Sequence, residues 1–266
     1  MFEALLDDWR LTPDGAPIVT ATGTLLPVIR DGAPAMLKRF SDDEEEAGAA
    51  LLRWWGGDGA VRLLAQSGDT ILMERATGPA SPTAMALAGE DDRACHILCR
   101  TASRLHARRP APLPDLVPLD ARFAALRRTR HAALSHAAEI AGRLLADQSD
   151  LCPLHGDLHH GNVLDFGERG FLAIDPKGVF GERAFDFANI FCNPDLAHPE
   201  HRIARDPARF ARRLAMVAQQ ARLDPERLRA WIIAWCGLSA AWFLEDDNPL
   251  AEIPLEIGAI ARATGA

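Results

Sequence analysis

Two carboxylates and one carboxamide, Asp157, Asn162 and Asp175, are spaced along the chain as a hard-oxygen cluster would require. Residues 154–166 predict a short apolar strand, a polar loop and a second strand, and a turn and a third strand that ends on Asp175 follow. Such oxygens suit Mg²⁺ and phosphate rather than a soft metal. We therefore expect Asp157 to accept the proton of a substrate hydroxyl and Asn162 and Asp175 to bind Mg²⁺. A capping or turn role is the alternative for each residue taken alone.

The basic residues are almost all arginine. Of 29 lysines and arginines, only Lys38 and Lys177 are lysine, and each lies beside a candidate site residue. Lys38, on a predicted strand, would offer a compact charge to phosphates; the alternative is a solvated surface lysine. Glu45 is on the apolar face of the next predicted helix, so we expect it to pair with Lys38. Its alternative role is to complement the helix dipole.

The elements that must position these residues begin with a small antiparallel sheet and one helix. Asp31-Gly32 is a strong hairpin signal, and Ser41 with Glu44 forms a capping box at the helix start. Gly23 is a candidate for a turn that covers phosphate, although an ordinary β-turn explains it equally well. The predicted strands are 18–20, 25–29, 35–40, 61–66 and 70–74, and the helix is 42–55.

A proline- and glycine-rich linker, residues 77–82, separates this sheet from a mainly helical remainder. We therefore predict an α+β chain of two lobes, residues 1–76 and 77–266, with a ligand in the cleft between them. The predicted helices of the second lobe are 90–107, two within 119–147, 182–191, 207–221, 225–245 and 251–263. Asp224 is the predicted cap of the helix 225–245, and Pro225 suits its first turn.

Composition indicates a globular protein with 48% hydrophobic and 25% charged residues and a net charge of −8. This charge disfavours nucleic acid and favours a cationic small molecule. No apolar run has membrane-spanning length, and the first residues lack the pattern of a signal peptide. Five scattered cysteines fit a reducing compartment. We expect a cytoplasmic monomer or weak dimer without a membrane partner.

Three histidines raise the possibility of zinc, because His155, His159 and His160 lie close in sequence. No Cys/His pair follows at a suitable spacing, so zinc is disfavoured. We expect His155 to brace the loop through its two ring nitrogens. A P-loop is excluded, because the chain has no G-x-x-x-x-G-K-[ST].

The motif His155-Gly156-Asp157-x-x-x-x-Asn162, with Ile174-Asp175-Pro176 after it, resembles the catalytic and metal-binding loops of aminoglycoside phosphotransferases. This resemblance implies a protein-kinase-like fold of two lobes. It also implies ATP- and Mg²⁺-dependent transfer of the γ-phosphoryl group to a hydroxyl of a small molecule. The chain is similar to the branch of this family that phosphorylates streptomycin at the 6-hydroxyl or phosphorylates hydroxyurea. The resemblance lies in residues 72–78, 154–164, 173–178, 181–194 and 237–242.

The resemblance also implies roles for individual residues. Lys38 would bind the ATP phosphates with Glu45 as its ion-pair partner, and the backbone from Glu74 to Ala76 would be the hinge that meets adenine. Asp157 would be the catalytic base, and Asn162 and Asp175 would bind Mg²⁺. Residues 1–76 would then be the nucleotide-binding lobe, and residues 77–266 would carry the catalytic loop and the acceptor site.

The acceptor is not identified by these motifs. A cationic aminocyclitol requires carboxylates, and candidates are Glu182, Asp195, Glu245 and Asp246. The last two also fit a solvated helix end. We expect Asp186 instead to be buried with Asn189 and to brace the catalytic loop.

Other functions stay open on the sequence. They are phosphorylation of a metabolite hydroxyl (on a sugar, an amino alcohol or an amino acid) or of hydroxyurea, non-catalytic nucleotide binding by a kinase-like fold, and zinc-dependent hydrolysis.

Overall fold

The computed structural model describes residues 2–20, 23–40 and 43–264. Its first elements are α1 (Glu3–Asp8), β1 (Leu11–Pro13), β2 (Ile18–Thr20), β3 (Gly23–Arg30), β4 (Ala33–Phe40), α2 (Asp43–Trp55), β5 (Leu63–Ser67) and β6 (Thr70–Glu74). After residue 80 follow α3 (Pro82–Leu87), α4 (Asp91–Leu105), β7 (Val117–Pro118), α5 (Leu119–Arg122), α6 (Ala124–Arg128), α7 (Ser135–Ala146), β8 (Leu151–Leu154), β9 (Val163–Asp165), β10 (Phe171–Ala173), β11 (Val179–Glu182), α8 (Pro207–Ala221), α9 (Pro225–Glu245) and α10 (Glu252–Ala263). Short 3₁₀ segments are Ala132–Leu134, His160–Asn162, Gly167–Arg169, Arg183–Cys192 and Pro249–Ala251.

An antiparallel sheet holds the first six strands in the order β1-β3-β4-β6-β5, with β2 on β3. The β3–β4 hairpin turns at Asp31 and Gly32, whose φ angles are 49° and 79°. Positive φ at both turn residues is what a tight two-residue hairpin requires, so the Asp-Gly signal predicted it correctly. Lys38 lies on the inner strand β4, opposite Ile71 of β6.

The linker after β6 is bonded to the rest of the chain. The Gly78 backbone N–H donates to the Asp165 carbonyl at 2.9 Å, and the Ala80 N–H donates to the Asp165 carboxylate at 3.2 Å. Beyond it, β9 and β10 form an antiparallel hairpin, and β11 lies between β7 and β8. The polar loop lies between β8 and β9, as predicted from the sequence.

The main hydrophobic core is continuous from the sheet to the last helix. One cluster of buried side chains includes Ile71 on β6, Trp231 on α9 and Ile257 on α10. Helix α9 is buried around most of its circumference, as expected for an apolar helix at the centre of a helical layer. The division at residues 76 and 77 stays a prediction, since the core does not stop there.

Three local predictions need correction. Residues 1–17, for which no strand or helix was predicted, contain α1 and β1. The predicted helix 182–191 is a 3₁₀ helix over Arg183–Cys192, and Glu182 is the last residue of β11. The predicted strand at Val61 starts at Leu63, because the Val61 N–H donates to the Ala173 carbonyl of the β9–β10 hairpin instead.

Two predictions about helix starts have different outcomes. Asp224 caps α9 by accepting from the Arg227 N–H at 2.8 Å, as predicted. The predicted cap Ser41 lies outside the described residues. No helix of the described chain is both long and apolar enough to cross a membrane.

Candidate active site

The loop after β8 is braced by a buried histidine and a buried aspartate. His155 Nε2 donates to the Ile174 carbonyl at 2.8 Å, and its Nδ1 accepts from the Asp157 N–H at 3.2 Å. His155 thus holds the loop through both ring nitrogens, as expected. Burial lowers its pKa, which keeps the ring neutral and able to accept.

Asp186 anchors the same loop from the 3₁₀ segment. Its carboxylate accepts from the His155 and Gly156 backbone N–H groups at 2.8 and 2.7 Å, and from His106 Nε2 at 2.8 Å. Burial opposes ionisation, but His106 and these donors outweigh it and lower the pKa of Asp186. The predicted bracing role is therefore present, and the carboxylate is not exposed to a ligand.

Two amides orient the Asp157 carboxylate. Asn189 Nδ2 donates to Oδ1 at 2.8 Å. Asn162 Nδ2 donates to Oδ2 at 3.2 Å and to the Asp157 carbonyl at 2.9 Å. Because the side-chain nitrogen of Asn162 donates these hydrogen bonds, its side-chain oxygen can bind a cation. Asp157 is partly exposed, so an acceptor hydroxyl can reach it.

A four-membered ion cluster lies between α2 and the segment after β10. Lys38 Nζ is 2.5 Å from Glu45 Oε2 and also pairs closely with Asp175, 137 residues away. Lys177 Nζ is 2.5 Å from the other Glu45 oxygen and 3.3 Å from Asp175 Oδ2. The predicted Lys38–Glu45 pair is present, and both of the lysines of the chain meet both acids.

These contacts shift the ionisation of the cluster. Burial opposes ionisation of Asp175, but Lys177 and Lys38 outweigh it and lower the pKa of Asp175 to about 2. Burial alone would lower the pKa of Lys177, but Asp175 and Glu45 outweigh it and raise the pKa. Asp175 and Lys177 therefore stay charged near neutral pH. Asp175 also has a left-handed backbone with φ of 60°, which is uncommon for a residue other than glycine and is frequent at functional sites.

A cavity next to this cluster has one polar and one apolar wall. Its apolar side suits a flat heterocycle, and its polar side suits phosphates and a metal. The apolar lining includes Leu25, Ile71, Met73 and Ile174, and the polar lining includes Lys38, Glu45, Asn162 and Asp175.

The donor set of this cavity fits Mg²⁺. Asp175 supplies a carboxylate and Asn162 a carboxamide oxygen, which are hard ligands. Two ammonium groups pair with Asp175, but 28% of its side chain is exposed, so a cation can still reach the carboxylate. Asn162 and Asp175 could therefore hold the metal, and their role as ligands stays a prediction.

The predicted nucleotide contacts outside the cluster stay predictions. Glu74 ends β6, and its side chain pairs with Arg169 and Arg62. Ala76 follows at the linker. Gly23 starts β3, where an added Cβ would lie 2.2 Å from the Arg39 carbonyl oxygen. The close approach of strand β4 accounts for this glycine, and residues 21–22 of the predicted covering turn lie outside the described chain.

Two of the predicted acceptor carboxylates are used inside the protein. Glu182 is buried and accepts from Arg227 Nε at 2.6 Å, from Trp231 Nε1 at 2.8 Å and from the Ser149 N–H at 3.2 Å. The prediction that Glu182 binds the acceptor is therefore wrong, because its carboxylate is buried and paired with Arg227.

Asp195 is the second corrected carboxylate. It is fully buried and accepts from the Ile203 and Ala204 N–H groups at 3.0 and 2.8 Å and from Arg205 Nε at 2.9 Å. It ties a loop together instead of binding an acceptor. Glu245 pairs with Arg128 at 3.2 Å at the exposed end of α9, and Asp246 is exposed beside it. These two stay acceptor predictions.

The histidines do not form a zinc site with one another. His159 Nδ1 caps a turn by accepting from the Gly161 N–H at 3.1 Å, and His155 is a brace. His160 is buried near Asp91 and Cys95. Both Asp91 oxygens accept from Arg213, at 2.9 and 2.6 Å.

The Cys95 thiol, which lies near His160 and Asp91, is also a poor metal ligand. Burial raises the pKa of Cys95 to about 12, so it stays protonated. Asp91 is already neutralised by Arg213, a fixed positive charge. The donor set therefore does not suit a divalent metal.

Some contacts of the site could not be predicted from the sequence. Asn189 was expected beside Asp186, yet it binds Asp157 directly. Lys177 had a visible signal, since it is one of two lysines and lies two residues after Asp175, but it was given no role. His106 had no signal, because it reaches Asp186 from 80 residues away.

Known proteins resemble this chain over most of its length. Residues 8–247 match the family model described as "Aminoglycoside/hydroxyurea antibiotic resistance kinase". A streptomycin 3''-kinase from Klebsiella pneumoniae is 51% identical over 262 residues, which are 97% of this chain and 98% of the relative. A streptomycin 6-kinase from Streptomyces glaucescens is 33% identical, over 93% of this chain and 83% of the relative.

A solved structure supports the fold separately. The aminoglycoside phosphotransferase APH(4)-Ia superposes with a TM-score of 0.70 over 99% of this chain and 98% of its own, at 16% identity. The α+β, protein-kinase-like fold predicted from the sequence is thereby confirmed.

Proposed function

Because this chain belongs to the aminoglycoside/hydroxyurea antibiotic resistance kinase family, we propose that it transfers the γ-phosphoryl group of ATP to streptomycin and thereby inactivates the antibiotic. The observation that carries the chemistry is the meeting of Lys38, Glu45 and Asp175 across 137 residues of chain. This is the polar half of a nucleotide site, and Asp157 stands in the loop before it.

We propose the 3''-hydroxyl of streptomycin as the acceptor. The 51% identity to a streptomycin 3''-kinase over nearly the whole of both chains supports it. The 6-hydroxyl, expected from the sequence, is the alternative, supported by the 33% identity to a streptomycin 6-kinase. Streptomycin is cationic, which agrees with the net charge of −8.

The proposed reaction is an in-line displacement. The acceptor oxygen forms a bond to the γ-phosphorus, the bond from that phosphorus to the ADP oxygen breaks, and the hydroxyl proton passes to the Asp157 carboxylate. Asn162 and Asn189 hold this carboxylate with an oxygen turned to the acceptor. Lys38 would neutralise phosphate charge.

The metal-binding residues in this proposal are Asn162 and Asp175. Mg²⁺ held there would offset charge on the phosphate oxygens. The apolar side of the cavity, with Leu25, Ile71 and Met73, would enclose adenine, and Glu74 to Ala76 would contact its edge. In this proposal residues 1–76 are the nucleotide-binding lobe and residues 77–266 carry the acceptor site, with Glu245 and Asp246 at its rim.

The setting of the enzyme is part of the same proposal. We place it in the cytoplasm as a monomer or weak dimer, since ATP is available there and all five cysteines are buried and unpaired.

The test is an assay of the purified protein with Mg-ATP and streptomycin, with ADP release as the rate and NMR of the product to locate the phosphate. We expect ADP release that depends on streptomycin and a phosphate on the 3''-hydroxyl. Asp157→Asn is the control, and it should lose turnover by about 100- to 10,000-fold while ATP binding persists.

Each other result has a stated meaning. Phosphate on the 6-hydroxyl would favour the alternative position. No ADP release above the acceptor-free rate would contradict streptomycin, and the same assay with hydroxyurea, other aminoglycosides and hydroxylated metabolites would then identify the acceptor class. Persistent turnover by Asp157→Asn would refute the role of Asp157.

A further inference from the structure

The four charged groups at the cavity form a closed, alternating ring. Glu45 gives one oxygen to Lys38 and the other to Lys177, both at 2.5 Å. Asp175 likewise gives one oxygen to Lys38 and the other to Lys177. Two positive and two negative charges balance, so the removal of any one leaves the ring with a net charge.

Burial makes this balance matter. The exposed fractions of the side chains are 6% for Lys38, 5% for Glu45 and 10% for Lys177. Buried charges are tolerated when they are paired, and loss of one partner leaves the other uncompensated. The ring is therefore one unit, and Lys177 is half of its positive charge.

Lys177 also lies where α2 meets the catalytic loop. Its backbone N–H donates to the His155 carbonyl at 2.7 Å. A Cβ added to Gly48 of α2 would lie 1.9 Å from the Pro176 carbonyl oxygen, and one on Gly178 would lie 2.5 Å from Ala47. These glycines let the two backbones touch, and Lys177 places its ammonium at that contact.

We propose that Lys177 is a positioning residue of the phosphotransfer reaction, which holds Glu45 and Asp175 in place so that Lys38 is available to ATP. The inference rests on the proposed function. Lys38 serves two carboxylates in the structure and would also serve the phosphates. Lys177 satisfies the second oxygen of each carboxylate, which reduces their demand on Lys38.

This role explains the distribution of lysine in the chain. Every other basic residue is arginine, yet both ring positions are lysine. An ammonium is a compact point charge that two carboxylates can share, whereas a guanidinium is a wide planar fork. Because the two backbones are in tight contact at Gly48 and Gly178, a compact ammonium is favoured over a guanidinium at position 177.

The first test is Lys177→Met, which removes the charge and keeps much of the length. We expect ATP binding, measured by calorimetry in EDTA, to weaken by about fivefold or more, because Glu45 and Asp175 then both draw on Lys38. With Mg-ATP we expect kcat/KM for ATP to fall by about tenfold or more, and the acceptor KM to change by less than about twofold.

A matched control separates positioning from general stability. Arg227→Met breaks a pair with buried Glu182 that involves no residue of the ring. It should lower the Tm while ATP binding in EDTA stays within about twofold of wild type. Lys177→Met with unchanged ATP binding and unchanged kcat/KM would overturn the inference, as would equal losses of ATP binding in both variants.

A double-mutant cycle tests the route of action. If Lys177 acts through Glu45, then Lys177→Met should cost less than about threefold in ATP binding when added to Glu45→Gln. An equal cost in both backgrounds would overturn the inference. Lys177→Arg should bind ATP better than Lys177→Met, because it keeps the charge; a folded Lys177→Arg that is no better would also overturn it.

Failure of this inference differs from failure of the proposed function. Binding of ATP in EDTA needs no acceptor, so it tests Lys177 even if streptomycin is not phosphorylated. Conversely, a wild-type enzyme that phosphorylates streptomycin keeps its proposed function even if Lys177→Met behaves like wild type.

Discussion

At the scale of single residues, the amide of Asn189 connects the carboxylate of Asp157, the proposed catalytic base, to the buried segment Arg183–Cys192. Its Oδ1 accepts from Asn193 Nδ2 at 3.0 Å, so its own Nδ2 must face Asp157. The Asn193 amide thus fixes the orientation of the Asn189 amide. We infer that this relay keeps the Asp157 carboxylate turned toward the acceptor.

Asn189→Ala should lower kcat by about 10- to 100-fold, because a hydrogen bond to a charged group is lost near the reacting atoms. The KM for ATP should stay near the wild-type value, since Asn189 does not line the nucleotide cavity. Steady-state kinetics with both substrates measures this. In an Asp157→Asn background the same substitution should cost little, and an equal loss there would contradict the relay.

At the scale of elements, helix α2 and the segment 175–178 behave as one contact. Gly48 meets the Pro176 carbonyl and Gly178 meets Ala47, so no side chain separates the two backbones. Glu45, one turn before Gly48, is thereby placed over Asp175. The position of the helix, and not only the pair Lys38–Glu45, decides the geometry of the polar lining of the cavity.

Gly48→Ala should push α2 away from Pro176 and lower stability by about 1–3 kcal/mol, with a raised KM for ATP. Gly142→Ala is the matched control on α7, because nothing lies within 4 Å of its added Cβ. The control should raise stability by about 0.5–1 kcal/mol and leave the kinetics unchanged. Urea unfolding and ATP kinetics compare them; a harmless Gly48→Ala would argue against a fixed α2.

At the scale of the whole molecule, the sheet and the helices share one hydrophobic core. Ile71 and Met73 on β6 belong to the same cluster as Trp231 on α9. A smaller cluster, which includes Val28, Leu37 and Leu72, lies apart from it within the sheet. Two lobes that share a core are expected to unfold together.

Unfolding in urea should therefore follow a single transition. Tryptophans report on both parts, since Trp55 is buried at the end of α2 and Trp231 and Trp235 are buried in α9. Tryptophan fluorescence and far-ultraviolet circular dichroism should give the same midpoint. Two separated midpoints would show that the regions before and after residue 76 unfold independently.

The cysteines of the native protein should be unreactive. All five are buried, and burial raises the pKa of both Cys95 and Cys99 to about 12, so their reactive thiolates are scarce near pH 8. Ellman's reagent at about pH 8 should label the folded protein slowly and all five thiols in denaturant. Rapid labelling of the native protein would contradict the burial and the exclusion of a metal thiolate at Cys95.

Local chemistry made much of this fold predictable from the sequence. The Asp31-Gly32 hairpin and the Asp224 cap depend on residues close together in the sequence, so the residue types are sufficient to predict them. The catalytic loop was predictable for a similar reason, because His155 and Asp157 bond within two residues of each other. The Lys38–Glu45 pair spans seven residues and follows from the strand and the helix that carry them.

Tertiary structure decided which charges serve the site and which serve the interior. Glu182 and Asp195 lie in the same stretch as the candidate ligands, yet Arg227 and Arg205 neutralise them. Lys177 and Asn189 reach Glu45 and Asp157 only because distant segments pack together. These two carboxylates are braces because packing buries them against an arginine, and residue spacing carries no information on that partner. The sequence by itself thus determined which residues form the loop around Asp157 and the chemistry proposed for them, while packing determined the partners that lie far away in the sequence.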